Sequence, residues 1–429
     1  MKNEQGGDMN RRAVVMVVDG LRADMVLDEY VPELAALAGL SREFTHHRSV
    51  FPSATRINSA SIATGCFPAR HGLHGNAIAL DEGEGLVAVS VGPPTFRERW
   101  RRATGRTLLA PTLSERLREY GGVVTHSNSS AGAAHMQDPD GHGTLYHRNG
   151  SHRPGFEPVT DGDHPQVEYD ANGDRLVTAS FCEALSSAPA SAVNLLWICE
   201  PDHSQHALEL GSDDHRAVLA GADACVSQVI ATVNQLRARG EEVLFIVCSD
   251  HGHETVSEII PVNRLMVDAQ LKDSEDSADV VLASSGMSAL IYLAPEALSR
   301  RDAIAHWLSE SSWCGQVFAG PALAEVGLPT DTALQIAFAM VKQETPNRFG
   351  IRGIGAVVAD PFSPADSTGL GQHGGLGRYE TRPMLLVSGP GVQIGRCDQA
   401  SCAVDIAPTI LEFLGRPSQD MDGKPLPLA

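Results

Sequence analysis

The sequence predicts an α/β fold: a central, mostly parallel sheet with helices on both faces, carrying a small inserted α+β lobe. Three observations predict it. Four short, almost wholly apolar runs, 13–18 (AVVMVV), 193–199 (VNLLWIC), 243–248 (VLFIVC) and 384–388 (MLLVS), are rich in branched side chains. Such runs suit central parallel strands buried on both faces better than half-exposed edge strands. Helical patterns lie between them, and alternation of strand with helix points to layered α/β architecture. Three of the four runs also end directly in acidic residues, the placement expected of a ligand site at the carboxyl edge of an open sheet.

Taken in chain order, 13–18 is the first strand and runs straight into Asp19-Gly20. In the segment 49–76 (SVFPSATRINSASIATGCFPARHGLHGN), the small and polar residues after Thr55 predict a helix to Thr64, ended by Gly65. Residues 125–175 are rich in His, Gly, Asn, Ser and Asp and read as a long loop or small excursion. The irregular spacing of its histidines (His126, His135, His142, His147 and His152) suits a polar loop near a pocket better than a third metal site. The strand 193–199 leads into Glu200-Pro201-Asp202, and the pattern 213–238 predicts a long helix. The strand 243–248 leads into Ser249-Asp250-His251-Gly252. Residues 255–370 carry strand and helix patterns of their own (SALIYLA, LSRRDAIAHWLSESS, QVFAG) and predict an inserted cap lobe. The last strand, 384–388, is followed by a closing helix at 405–414. The expected division is therefore a core of 1–254 and 371–429 with a cap of 255–370.

Composition narrows the function. Asp plus Glu outnumber Lys plus Arg by 53 to 33, a net charge of −20. An overall negative field excludes nucleic acid and anionic membrane as electrostatic partners. Only Lys2, Lys272, Lys342 and Lys424 are lysines, so residues 3–271 contain none. The eight cysteines are scattered without a C-x-x-C pair, several of them inside apolar runs, and only Cys397 and Cys402 lie close in sequence. They read as reduced thiols. The first apolar run is too short for a signal sequence or membrane span, so the expectation is a soluble, cytoplasmic protein.

Strand-end placement brings Asp19, Asp202, Asp250 and His251 to one edge, joined by His206 and by His373 of Gly371-Gln372-His373-Gly374. Three carboxylates with three imidazoles suit a pair of Zn²⁺-like ions, with Mn²⁺ or Fe as alternatives. A single strand-end Asp is usually only a turn or cap residue; the whole set is not explained that way. Thr55 at a helix start would sit in the positive end of the dipole, where an alkoxide and a phosphate are both favoured. By sequence mechanics alone, Thr55 as a plain helix cap and Ser53 as a competing nucleophile remain open.

These motifs resemble the alkaline phosphatase superfamily, and within it the nucleotide pyrophosphatase/phosphodiesterase branch. The resemblance rests on Asp19-Gly20-Leu21-Arg22, on Thr55 nine residues before Thr64-Gly65, and on Pro68, His71-Gly72 and Asn76. It continues through Glu200-Pro201-Asp202 with His206, residues 249–252, residues 371–374 and Asp405-Ile406-Ala407-Pro408. It implies one metal site held by Asp19, Asp250, His251 and the Thr55 oxygen, and a second held by Asp202, His206 and His373. It implies Thr55 as nucleophile, giving a phosphothreonine, with Asn76 binding a phosphoryl oxygen. His206 is preferred to His203 on the family spacing, and His203, His215 and His253 are set aside as neighbours of ligands.

Two departures bear on the substrate. The nucleotide-cleaving relatives place an aromatic after the Thr, where this chain has Arg56, which suggests an extra anionic or polar group on the substrate. The neighbouring phosphonoacetate hydrolases hold a carboxylate with lysines, in a segment comparable to 123–143, which contains none. Arg22, Arg56 or Arg148 would have to substitute, and Arg22 and Arg56 are the candidate substrate-binding residues. The implied function is hydrolysis of a phosphodiester, pyrophosphate or phosphonate ester of a small molecule. The alternatives are phosphonoacetate-type C–P cleavage, monoester hydrolysis on the same two metals, or a non-catalytic binding relative. The oligomeric state is open, a homodimer included.

Overall fold

Along the first strand, Arg11–Val18, successive side chains enter two different cores. Val14, Met16 and Val18 pack with Val177 and Phe181 of the helix Ala171–Ser186 and with Val226 and Val229 of the helix Asp213–Ala238. Ala13, Val15 and Val17 pack with Ile62 of the helix Thr55–Thr64 and with Ile406, Ile410 and Leu411 of the helix Ile406–Phe413. A strand covered on both faces has no solvent side, which is why these runs are continuously apolar rather than alternating. The structure is a computed structural model and describes residues 11–160, 166–187, 191–363 and 365–429. The polar segment 1–10 and residues 161–165 of the His-rich interval lie outside the described residues.

The main sheet has ten strands, with Arg11–Val18 between Val193–Ile198 and Glu242–Cys248. Both neighbours run parallel to it, in registers that set Val17 opposite Trp197 and opposite Cys248. Parallel, in-register strands bring their carboxyl ends to one edge, and the residues after them to one place. The fourth expected strand, Leu385–Ser388, is in the sheet but runs antiparallel to Glu242–Cys248. Its apolar run identified burial correctly; direction is not encoded in hydropathy.

The interval read as loop-rich contains ordered elements. Val123–Ser127 pairs in parallel with Val193–Ile198, and Thr144–His147 pairs in parallel with Val123–Ser127. Ala131–Met136 and Ala171–Ser186 are helices. The strand carries Thr125, His126 and Ser127, each 1% exposed. Polar residues that are buried by a sheet edge have no hydropathy signature, so this strand reads as loop in the sequence.

Residues 254–372 include two further four-stranded sheets. One has the order Lys342–Pro346, Arg352–Val358, Glu254–Ile260, Gly371–Gln372, and the other Val280–Ser284, Ser288–Leu293, Leu334–Met340, Cys314–Ala319. The first matters for the site. Glu254 pairs with Gln372 and Thr255 with Gly371, so residues just after His251 and just before His373 are held side by side.

The helix Thr55–Thr64 is buried almost throughout and ends at Gly65, whose φ of +68° is the left-handed value that favours glycine. It is fastened from below by His71. Leu73 N donates to His71 Nδ1 at 3.2 Å, so the ring proton is on Nε2, which donates to Ser61 Oγ at 3.0 Å. Burial, with His74 nearby, pushes the His71 imidazole down to about 3 from 6.5. A depressed histidine contributes stability that is complete above 6.5 and is lost as pH falls towards 3. His71→Gln should therefore cost about 1–3 kcal/mol near neutral pH. Its deficit against wild type should shrink as pH is lowered below 6.5, because only the wild-type fold loses this contribution. Urea denaturation of both proteins at several pH values measures it, and a pH-independent deficit would contradict the neutral, buried assignment.

Candidate active site and metal centre

Three strand ends deliver the acidic residues. Asp19 follows Arg11–Val18, Asp202 lies four residues after Ile198, and Asp250 lies two residues after Cys248. The turns are tight: a Cβ at Gly20 (φ +71°) would stand 2.9 Å from Asp202 Cβ. Only glycine lets the first and second strand ends approach this closely.

Each carboxylate is held by one oxygen and offers the other. Trp197 Nε1 donates to Asp19 Oδ2 at 2.8 Å, and Gly20 N donates to Asp250 Oδ1 at 3.2 Å. Asp19 Oδ1 and Asp250 Oδ2 are buried and have no hydrogen-bond partner. Both face His251 Nε2, at 3.7 Å and 3.3 Å. Thr55 Oγ1 completes the group, 3.0 Å from the same Nε2. The His251 Nδ1–H donates to Gly252 O at 3.1 Å, which leaves Nε2 free for a ligand.

The second group centres on Asp202 Oδ1. His206 Nε2 lies 3.5 Å from it and His373 Nε2 3.6 Å. His373 donates through Nδ1 to Ser53 O at 2.9 Å, so it too presents Nε2. Metal–ligand bonds of about 2.1 Å in tetrahedral array put ligand atoms about 3.4 Å apart. The separations in both groups match that edge length, and two orphaned carboxylate oxygens are what a cation would satisfy. The residues present fit divalent-ion binding, with Asp19, Asp250 and His251 in one group beside Thr55, and Asp202, His251, His253 and His373 in another beside His206.

The electrostatics agree. Burial, then the neighbouring Asp250 and Asp202, holds the Asp19 carboxyl well above its usual range. Burial and Asp202 push Asp250 up to about 7. Burial drives His251 down to about 3 and holds His373 well below its ordinary value, the surrounding imidazoles adding to the effect. Asp202 goes the other way: its burial acts upward, but His206 and His253 outweigh it. Burial acts to lower His206, but Asp202 raises it, so these two pair as ions. Asp19 and Asp250, by contrast, resist ionising and His251 and His373 stay neutral, as in a cage built for cations.

His253 is the member that sequence reasoning set aside. It is fully buried, and its Nε2 lies 2.7 Å from Asp202 Oδ1. That is the length of a hydrogen bond, so His253 holds Asp202, and it stands with Asp202, His251 and His373 in a group whose ligand atoms lie within 4.8 Å of one another. Its position two residues after His251 was the available signal.

Of the other expected residues, Thr55 is 7% exposed and opens the helix; the residue at the cap position is Ala54, without a side-chain cap bond. The plain-cap role for Thr55 is thereby excluded. Ser53 is committed elsewhere, its hydroxyl donating to Gly375 O at 2.9 Å. Arg56 and Asn76 line a cavity of about 610 Å³ together with His206, Asp360, Gln372 and His373. Arg22 does not reach it. Its guanidinium is spent on Asp24, on the carbonyls of His253 and Arg352, and on the Tyr379 ring at 4.3 Å. It braces the strand end instead, a role that Asp-Gly-x-Arg does not reveal. Arg148 is likewise occupied, by Asn128 O and Oδ1 and by Ser129 O. Among the described residues, no metal-ligating group forms among the histidines of 125–175.

The fold and its two ligand groups define a hydrolase of the alkaline-phosphatase-like class. The chain belongs to the type I phosphodiesterase/nucleotide pyrophosphatase family, whose sequence profile matches residues 13–324. A search of curated proteins finds none that matches. Among solved structures, an inactive murine ectonucleotide pyrophosphatase/phosphodiesterase 5 in complex with AMP aligns with a TM-score of 0.67 at 17% identity, covering 96% of this chain and 97% of that one. Phosphonoacetate hydrolase from Sinorhizobium meliloti, in complex with phosphonoformate, aligns with a TM-score of 0.68 at 18% identity, covering 95% of each chain. The human ectonucleotide pyrophosphatase/phosphodiesterase 5 gives 0.66 at 16% identity, over 96% and 97%. At these identities the likeness establishes the fold.

The Trp197 contact gives a test of the first ligand group. Trp197→Phe keeps an aromatic ring and removes the donor to Asp19 Oδ2. Affinity for one divalent ion should fall about 10–100-fold, measured by competition with a chelator. Unchanged affinity would mean that Asp19 needs no such orientation.

Proposed function

We propose that the protein is a metal-dependent hydrolase that cleaves a phosphodiester, pyrophosphate or phosphonate ester of a small molecule through a phosphothreonine on Thr55. The observation that carries this reading is the convergence of Thr55 Oγ1, His251 Nε2 and the two unpartnered oxygens of Asp19 and Asp250. Divalent ions bound there would act as Lewis acids, favouring the alkoxide form of a hydroxyl at neutral pH and neutralising charge on phosphoryl oxygens. The chain's own residues supply the rest. Thr55 sits in the first turn of its helix, whose free N–H groups and dipole favour an oxyanion and a phosphoryl group. Its Oγ1 loses its proton to solvent and attacks phosphorus; the Oγ1–P bond forms as the bond to the leaving oxygen breaks. Water then attacks phosphorus from the opposite side, breaking the Oγ1–P bond and regenerating the hydroxyl. Asn76 stands in the cavity wall, where its Nδ2–H group would donate to a phosphoryl oxygen.

Arg56 narrows the substrate. Its guanidinium donates one bond, to Asn76 O at 3.3 Å, and its Nε is buried without a partner. It lies in a slot left by two glycines: a Cβ at Gly92 would stand 2.9 Å from Nη2, and one at Gly132 3.1 Å from Nε. A half-buried guanidinium with donors to spare beside Asp360 in this cavity favours an anion, which on this reading is a carboxylate or second phosphate on the leaving group. The compounds bound in two of the similar structures, AMP and phosphonoformate, are themselves small anions containing phosphorus.

Three measurements test this. Thr55→Ala should lower kcat by roughly three orders of magnitude or more while the folded protein still binds divalent ions, and no acid-stable phosphoprotein should form. A chiral phosphorothioate substrate should be hydrolysed with retention, since two displacements invert twice; net inversion would mean direct attack by water. Arg56→Gln should lower kcat/KM for substrates with a second anionic group by about tenfold or more, with neutral diesters little affected. Equal losses on both substrate types would remove Arg56 from recognition of the leaving group.

A further inference from the structure

Directly behind the ligands lies a buried ionic cluster that the proposed chemistry does not use. Glu254 and Glu380 are 1% and 0% exposed. Glu380 closes the turn that follows His373: Gly375 N donates to Oε2 at 2.7 Å and Gly377 N to Oε1 at 2.8 Å. The same turn grips Ser53, whose Oγ donates to Gly375 O at 2.9 Å and accepts from Gly374 N at 3.2 Å. The backbone carbonyl of Glu380 accepts from Gly252 N at 2.9 Å. One residue thus ties together the turn of His373, the approach to Thr55 and the turn of Asp250 and His251. Glu254 holds the other side, accepting from Tyr379 N at 3.1 Å. A Cβ on Gly377 would stand 2.2 Å from its Oε1, so this carboxylate is pressed against the same turn.

Two buried carboxylates on one turn repel each other unless a cation stands between them. That cation is Lys342, with Nζ 2.6 Å from Glu380 Oε1 and 3.2 Å from Glu254 Oε2. It is one of only four lysines in the chain. It comes from the strand Lys342–Pro346, outside the main sheet, and its stem lies over Gly355, where a Cβ would meet its Cδ at 2.7 Å.

We propose that Lys342 is a positioning residue of the metal centre: by bridging Glu254 and Glu380 it holds the turn that presents His373 and that braces Ser53 ahead of Thr55. The inference rests on the reading of His373 as a metal ligand. Without the ammonium, repulsion between the carboxylates acts on the turn itself, and His373 Nε2 is no longer held in register with Asp202 and His206.

The test is metal affinity in the full chain, measured with Zn²⁺ by chelator competition, together with the visible spectrum of the Co²⁺-substituted protein. Lys342→Met should weaken one of the two ions about 10–100-fold and leave the other within about threefold, since loss of an orienting partner typically costs this much. Adding Glu254→Gln should recover about tenfold, because the amide keeps an oxygen for Tyr379 N and can donate to Glu380. Gly355→Ala displaces the lysine stem without removing its charge; it should weaken the same ion and alter the Co²⁺ spectrum, and it carries the test if Lys342→Met does not fold. Lower melting temperatures with unchanged affinities and spectra in Lys342→Met and Gly355→Ala would make Lys342 a strut between sheets and overturn the proposal. A wild-type protein that binds no divalent ion would instead overturn the metal reading itself, and this inference with it.

Discussion

Three carboxylates are buried within one cluster at the end of the sheet, and the fold is organised around that repulsion. Asp19, Asp202 and Asp250 are 1%, 5% and 0% exposed, and each raises the proton affinity of a neighbour or is held down by imidazoles. In a medium of low effective dielectric, such a group is strongly unfavourable without cations. The parallel register of three strands forces the carboxylates together all the same. The crowding that opposes folding of the bare chain is what gives divalent ions their affinity, because binding them removes it.

A ligand cage also requires that each donor atom be aimed. Here the aiming is done by contacts on the far side of each ligand: Trp197 on Asp19, Gly20 N on Asp250, the Gly252 carbonyl on His251, the Ser53 carbonyl on His373 and His253 on Asp202. Nearly all of these partners are backbone groups or buried rings, which have little freedom to move. Aim is therefore inherited from the sheet and its turns rather than from side chains that must find one another.

The same distinction explains what could be read from the sequence. Asp19, Asp202 and Asp250 were legible because each follows a continuous apolar run within a few residues, and acid just past such a run marks the end of a strand. Thr55 was legible as a helix start, but choosing it over a cap role or over Ser53 needed the cap position to be seen occupied by Ala54 and Ser53 tied to Gly375. The strand Val123–Ser127 was hidden because its residues are polar, and its burial comes from neighbours far away in sequence. Arg22 was misassigned for a related reason. A charged residue in a motif suggests a ligand, whereas its partners at Arg352 and Tyr379 are more than 300 residues distant. His253 was passed over because spacing alone does not show that it holds Asp202; only the 2.7 Å contact does.

The segment 254–372, with its two four-stranded sheets, meets the ten-stranded sheet where the ligands are. Its first strand begins at Glu254, three residues after His251; Gln372, which pairs with Glu254, immediately precedes His373. The same segment walls the substrate cavity through Ser284, Ser285, Asp360 and Gln372. Strand pairing, cavity wall and ligand turn are thus one mechanical unit. Ions that require His373 in position would in turn stabilise the strand pair that places it, since a ligand that binds only the ordered arrangement favours that arrangement.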